Sequence, residues 1–289
     1  MKKLNQLIFL NLINSRKNSI ILIGIFLISW EIFLIFSISK GLQFQIFNLL
    51  ILAGLWLVWE QIIEKDQTFS VNKKTFFFGI AIIFTTLIKG IYIDSVKDIF
   101  FYLTIPLLNF GLILLCEGAL HFKKKLGLIF LSSLVPLKEI FLIPLEKTLP
   151  QLTSTMTWFN LKLLGINANI VDNLIFFEKR GISVEDGCSG ADQIIFGISL
   201  LIIFYVLYPL RKRSHLYLLI PAAITISFVE NSIRLTLLAL INSLEGIQPE
   251  KLFDFFHTSY GSLIFTSLTC FMISKIYFEF IKKEIREFG

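Results

Sequence analysis

Apolar stretches of membrane-spanning length, separated by short polar connections, recur along the whole chain. A helix needs about 20 predominantly apolar residues to cross about 30 Å of hydrocarbon. About eight stretches meet that criterion, at 19–37, 42–59, 75–93, 99–120, 126–145, 190–210, 216–241 and 260–281. Hydrocarbon offers no partner to a free N–H or C=O, so such stretches fold as helices. The expected fold is an all-α polytopic membrane protein, one integral membrane domain over 1–289. Within it, 1–145 holds five spans, 146–187 is an extracytoplasmic loop, and 188–289 holds the last three. Composition agrees: 55% of the 289 residues are hydrophobic and 31 are Phe, with a mean hydropathy of +0.76. A soluble core of this length cannot bury that much apolar surface.

Charge orients the spans. The net charge is +6, and basic residues cluster in alternate connections. These are Lys2, Lys3, Arg16 and Lys17; Lys65, Lys73 and Lys74; Lys123, Lys124 and Lys125; Arg211, Lys212 and Arg213; Lys282, Lys283 and Arg286. The short connections between them are poorer, with Lys40, then Lys97 beside Asp94 and Asp98, then Lys251 beside Glu245, Glu250 and Asp254. Cytoplasmic loops are enriched in Lys and Arg. Every short loop therefore predicts the same topology: an even number of spans, with both termini in the cytoplasm. The long connection falls outside despite Lys147, Lys162, Lys179 and Arg180. Basic clusters placed this way anchor a protein in the bilayer and argue against a nucleic-acid partner. The first apolar run is long enough to span, and no small-residue cleavage site follows it, so it does not read as a cleaved signal peptide.

Local signals refine the outline. Pro136 and Pro144 in the fifth span predict a kink or a broken end. Within the long loop, 151–165 carries Leu152, Met156, Phe159, Leu163 and Leu164 at helical spacing, which predicts an amphipathic helix lying in the interface. Two short strands are predicted near 174–177 and 182–184, turning at Lys179, Arg180 and Gly181. This small extracytoplasmic hairpin leads directly to Cys188 at the start of the sixth span. There is no internal repeat and no low-complexity tail.

Three residues carry the candidate chemistry. Cys188, preceded by Glu185-Asp186-Gly187 and followed by Ser189-Gly190-Ala191, stands where an outer loop becomes a helix. Unpaired N–H groups and the positive dipole end favour a thiolate there. Arg234 lies near the outer end of the seventh span, with Asn231 three residues back on the same face and Glu230 about one turn back. Grouped polar residues inside a span usually face the bundle interior or a water-filled cavity. His257 stands before the last span, after Leu252-Phe253-Asp254-Phe255-Phe256. Each has a plain structural reading on its own: a small residue at a span end, a snorkelling arginine, an interfacial histidine. Yet all three come from different spans, and the topology puts them at one face without having used any of them. A Cys with a nearby His is the minimum for thiol acyl transfer, and a fixed guanidinium suits a developing oxyanion. Cys116 and Cys270 are mid-span and read as small apolar residues. His121 and His215 sit beside cytoplasmic basic clusters and read as ordinary loop residues. The cysteine spacing gives no zinc site and no disulfide framework, and no metal or cofactor is expected.

At these residues the sequence resembles the exosortase/archaeosortase family of membrane transpeptidases. The matching pieces are Cys188-Ser189-Gly190, then Asn231-Ser232-Ile233-Arg234, then His257 followed by Gly261. The Phe- and Ile-rich style resembles the cyanobacterial branch, although Gly187 departs from the residue expected before the cysteine in many relatives. The resemblance implies a sortase-like reaction on exported proteins that carry a C-terminal tripartite signal: a short motif such as Pro-Glu-Pro, an apolar span and a basic tail. It assigns Cys188 as nucleophile, with Arg234 and His257 as its catalytic partners and Ser189, Gly190 and Asn231 in support. It further implies a plasma-membrane location, an active site on the outer face, and transfer of the product to an acceptor linked to extracellular polysaccharide export.

Two rivals remain at this level. A transporter would show ionisable groups near the midplane and two related halves with broken helices. Lys89, Lys138, Pro136, Pro144 and Pro221 point that way, but no second half mirrors the first. A non-catalytic scaffold of an export system would tolerate loss of Cys188. A serine intramembrane protease is disfavoured, since no Gly-x-Ser-x-Gly stands at a span with a partner His.

Overall fold

The computed structural model describes residues 2–39, 41–65, 72–116, 122–177, 180–243, 249–257 and 259–288. Among them the helices are α1 (Lys2–Ile38), α2 (Leu42–Lys65), α3 (Lys73–Ile91), α4 (Ile99–Leu115), α5 (Phe122–Leu163), α6 (Ala191–Leu207), α7 (Ser214–Ser243), α8 (Pro249–His257) and α9 (Ser259–Phe288). Three short strands stand between α5 and α6: β1 (Ala168–Val171), β2 (Leu174–Phe177) and β3 (Arg180–Ser183). Five stretches are long and apolar enough to cross a membrane: Asn18–Ile38, Leu42–Ile63, Lys73–Ile91, Ser214–Ser243 and Tyr260–Glu287. Two apolar helices, α4 and α6, are shorter at 17 residues each. The chain is an all-α polytopic membrane protein, with apolar side chains such as Phe77, Phe84 and Phe271 turned outward.

The fifth expected span differs. α5 runs for 42 residues, about twice what a crossing needs, and stays helical past Pro136, Pro144 and Pro150. A proline removes one N–H, and in membrane helices side chains and neighbouring groups make good the freed carbonyl. Residues 146–163, expected in the loop, are thus the C-terminal part of α5.

The chain divides into two compact units, Met1–Leu137 and Lys138–Gly289. In the first, α3 packs on α4 through glycines. A Cβ on Gly111 would stand 2.6 Å from Ile83 Cγ1, and one on Gly79 would stand 2.9 Å from Gly111 O. Small residues let backbones approach where lipid supplies no hydrophobic drive between helices. Polar bonds add to this: Trp59 Nε1 donates to Asn109 Oδ1, and Asn109 Nδ2 donates to Leu128 O and Ser132 Oγ. Helix starts are capped by Asn72, accepting from Lys74 N, and Asp98, accepting from Phe100 N, each satisfying an otherwise orphaned donor.

In the second unit α6, α7 and α9 pack against one another. Gly197 makes room at their meeting point, where a Cβ would stand 2.7 Å from Ser227 Oγ and 2.9 Å from Ile273 Cδ1. Gln193 Nε2 donates to Thr269 Oγ1 at 2.8 Å, and Thr269 Oγ1 donates to Glu230 Oε2. At the other end Glu284 accepts from Arg211 N and Lys212 N and pairs with His215 at 2.8 Å. His215 is therefore a buried, paired residue of α7 rather than an ordinary loop residue; His121 lies outside the described residues.

The strands form an antiparallel sheet in the order β1-β2-β3, with Ile175 opposite both Ile170 and Ile182. The expected strand at 174–177 is present. The one expected at 182–184 sits two residues earlier at its start, in Arg180–Ser183. Arg180 and Gly181 belong to that strand rather than to the turn, and Lys179 lies outside the described residues. β1 was not expected. Its signal was Asp172-Asn173 between Val171 and Leu174, a two-residue turn between apolar pairs, with Asp172 at φ 53°. Period-2 alternation turns Ile175 and Phe177 inward, where they join Ala168, Ile182 and Val184 against Leu235, Leu238 and Ala239 of α7. The sheet is a plate on the end of α7, and its exit strand delivers the chain to Cys188.

Candidate active site

Cys188 ends a 3-10 turn (Asp186–Cys188) that follows the buried Val184. Its N–H donates to Glu185 O at 2.9 Å. The carbonyls of Cys188 and Ser189 are clamped from two helices. From α5, Thr153 Oγ1 donates to Ser189 O at 2.7 Å. From α7, Asn231 Nδ2 donates to Cys188 O at 3.0 Å. Ser189 Oγ accepts from Ala191 N, the first residue of α6, at 3.3 Å. Gly190 takes φ 88°, a left-handed conformation that suits glycine. A Cβ there would fall 2.6 Å from Asn231 Nδ2. The sequence Cys-Ser-Gly is thus read by the fold residue by residue.

His257 closes the other side. Its Nε2 stands 3.6 Å from Cys188 Sγ, and its ring stacks on Phe253 at 5.3 Å and 16°. It is the last residue of α8. Gly261 lets the first turn of α9 pass against that helix, since a Cβ would lie 2.3 Å from Phe256 Cα. Phe253 and Phe256 pack on the same apolar cluster as Cys188 and the sheet, which fixes the histidine relative to the thiol.

Arg234 sits about one turn beyond Asn231 on α7, buried, with no hydrogen-bond partner for its Nε among the described residues. Its charge acts on Cys188. Burial pushes the Cys188 thiol above its ordinary range, the Arg234 guanidinium pulls it back, and Glu185 pushes it up. The thiolate expected from a helix start is therefore opposed by burial. A thiol within reach of an imidazole can pass its proton there as it attacks, which is the general-base form of thiol chemistry.

The structure brings together Cys188, His257, Ser189, Gly190 and Asn231 by direct contact and Arg234 by its field. Sequence reasoning missed the α5 contribution. Thr153 and Thr157 are fully buried, and Asn160 Nδ2 donates to Ser232 Oγ and Thr236 Oγ1. Their signal was a stripe of small polar residues at helical spacing, on the face opposite Leu152, Phe159 and Leu163. Lys138, the ionisable residue in the fifth expected span, pairs through its Nζ with Asp192 Oδ1 at 2.8 Å.

No curated protein and no solved structure matches the chain. A family model described as transmembrane exosortase matches residues 38–274, a stretch that runs from the end of α1 into α9 and contains every residue of the site just described. The chain belongs to the transmembrane exosortase family.

Proposed function

We propose that the chain is a membrane cysteine transpeptidase that cuts a C-terminal sorting signal of the Pro-Glu-Pro type from exported proteins. The observation that carries this is the 3.6 Å approach of Cys188 Sγ to His257 Nε2, two side chains 69 positions apart and held by separate elements. His257 takes the thiol proton as Cys188 Sγ adds to the scissile carbonyl carbon. The oxyanion that forms lies in the field of Arg234. Collapse breaks the C–N bond, the leaving amine takes the proton from the imidazolium, and an acyl thioester stays on Cys188. Water or an acceptor nucleophile then releases it and restores the thiol.

The topology belongs to the same proposal. Eight crossings put both termini in the cytoplasm of a plasma-membrane protein, with Cys188 at the outer face. A substrate whose signal precedes its own apolar span presents the scissile bond at that depth. The test is processing of a co-expressed substrate bearing the tripartite signal, read by its mass shift. Cys188→Ala abolishes it, and Cys116→Ala and Cys270→Ala leave it unchanged. His257→Ala lowers the rate by about 10²–10⁴-fold and Arg234→Ala by about 10²–10³-fold. Processing by Cys188→Ala at the normal rate would refute the mechanism.

A further inference from the structure

At the end of the second unit away from Cys188, the chain builds a cavity that the thiol chemistry does not use. α6 stops at Leu207: Tyr208 leaves the helical conformation at φ −132°, and Pro209 cannot continue a helix. The connection into α7 is then tied to α9 at two points. Tyr277 Oη donates to Tyr208 O at 2.7 Å. Two turns further along α9, Glu284 Oε2 accepts from Arg211 N at 2.7 Å and Oε1 accepts from Lys212 N at 3.0 Å. Residues 277, 281 and 284 share one face of the helix. Beside these ties lies a cavity of about 320 Å³, with Tyr208, Pro209 and Arg211 on one side and Ile281, Glu284 and Ile285 on the other. That is the room of a small ligand site.

Its walls combine an apolar surface with a positive rim. Tyr208 is 49% exposed and Ile285 63%, so the cavity opens to the outside of the helix bundle. Glu284, the acid on its wall, is already answered by two backbone N–H groups and by His215 Nδ1 at 2.8 Å. Arg211 is exposed. Around it, residues 211–213 and 279–287 hold six cations and three carboxylates, and besides Glu284 these carboxylates pair with Lys282 and Lys212. The surplus is positive. A carboxylate whose oxygens are engaged offers little to an ammonium, while the surplus attracts an anion.

We propose that this cavity binds an anionic phospholipid, with its phosphate against Arg211 and the upper part of one acyl chain against Ile281 and Ile285. Basic pockets between the ends of membrane helices suit such headgroups. A free phosphate would leave the apolar wall wet, and a zwitterionic lipid would add an ammonium where positive charge is already in surplus. Bound there, the lipid braces the α6–α7 connection against α9.

The test uses the full chain in dodecyl maltoside and a phosphatidylglycerol carrying a diazirine near the top of one acyl chain. Photolabelling, located by mass spectrometry, is expected on Tyr208, Ile281 or Ile285. Unlabelled phosphatidylglycerol should compete at least fivefold better than phosphatidylcholine, about the worth of one charge at a membrane surface. Glycerol phosphate, a headgroup without chains, should not compete. Ile281→Trp fills the cavity and removes the labelling. Arg211→Gln brings the two lipids level, whereas Arg211→Lys, which keeps the charge, preserves the preference. Lys283→Gln, a cation off the cavity wall, leaves the preference unchanged. Cys188→Ala labels as wild type does, so failure of the transpeptidase reading leaves this result untouched. Equal competition by the two lipids in the wild type, labelling that survives Ile281→Trp, or a preference that survives Arg211→Gln overturns the proposal. So does a loss of preference in Lys283→Gln as large as in Arg211→Gln, because that marks a diffuse field and not a site. Competition by glycerol phosphate as strong as by the lipid overturns it too.

Discussion

At Gly190 two demands coincide: a left-handed backbone and the absence of a Cβ where Asn231 Nδ2 presses in. Gly190→Ala is therefore expected to slow processing by at least tenfold with Cys188 intact, since a strained residue of this kind costs about 1–3 kcal/mol. The same assay checks it, with the yield of folded protein as control. Thiol reactivity gives a second residue-scale expectation. Burial raises the Cys188 pKa and Arg234 lowers it. Alkylation by iodoacetamide, followed in a Cys116→Ala/Cys270→Ala background over about pH 6 to 10, should therefore climb with pH and level off only above the ordinary thiol midpoint of about 8.5. Arg234→Gln removes a positive charge and moves that midpoint up; Glu185→Gln removes a negative one and moves it down. Residues with unusual chemistry for their place, a thiol at a helix start and an arginine inside a span, were legible in the sequence. Thr153 and Thr157 were not, because serine and threonine occur in membrane helices for many reasons and only a partner in space distinguishes one use from another.

α5 shows why an element can be read correctly in its spacing and wrongly in its extent. Leu152, Phe159 and Leu163 share a helical stripe and are exposed, while Thr153, Ser154, Thr157 and Leu161 form the buried face. In a soluble protein the apolar stripe turns inward; next to lipid it turns outward, and the polar stripe holds the fold together. Thr153→Val keeps the shape but removes the bond to Ser189 O. It is expected to slow processing by about fivefold to tenfold, the worth of one hydrogen bond. Thr155→Val, which loses only a bond to Gln151 O on its own helix, should be neutral in the same assay. The α3–α4 contact carries another expectation. Gly111→Leu overpacks the space against Ile83, costs about 1–3 kcal/mol and lowers the unfolding temperature in detergent, while leaving the thiol site of the other unit chemically intact. β1 escaped notice because four residues with only one aligned apolar face give little periodicity to count.

For the whole molecule, hydropathy located the apolar stretches, and described helices lie across all of them. It did not locate where α5 ends, because a helix stops where its backbone bonding stops and not where lipid does. Topology is checked on intact cells with a membrane-impermeant maleimide in a variant lacking the native cysteines. Asp172→Cys, at the sheet turn, should label at once, and Lys212→Cys only after permeabilisation. The reverse order would place the thiol on the wrong side of the membrane for exported substrates. At 17 residues, α6 rises only about 26 Å, short of the about 30 Å of an average bilayer. A short crossing draws the lipid surface inward around it. Since α6 starts just past Cys188, a crossing by α6 is expected to bring headgroups and water toward the sulfur and to make processing depend on acyl-chain length. In vesicles of long-chain lipid the mismatch grows, the surface has further to dip to reach the sulfur, and turnover is expected to slow with no residue changed.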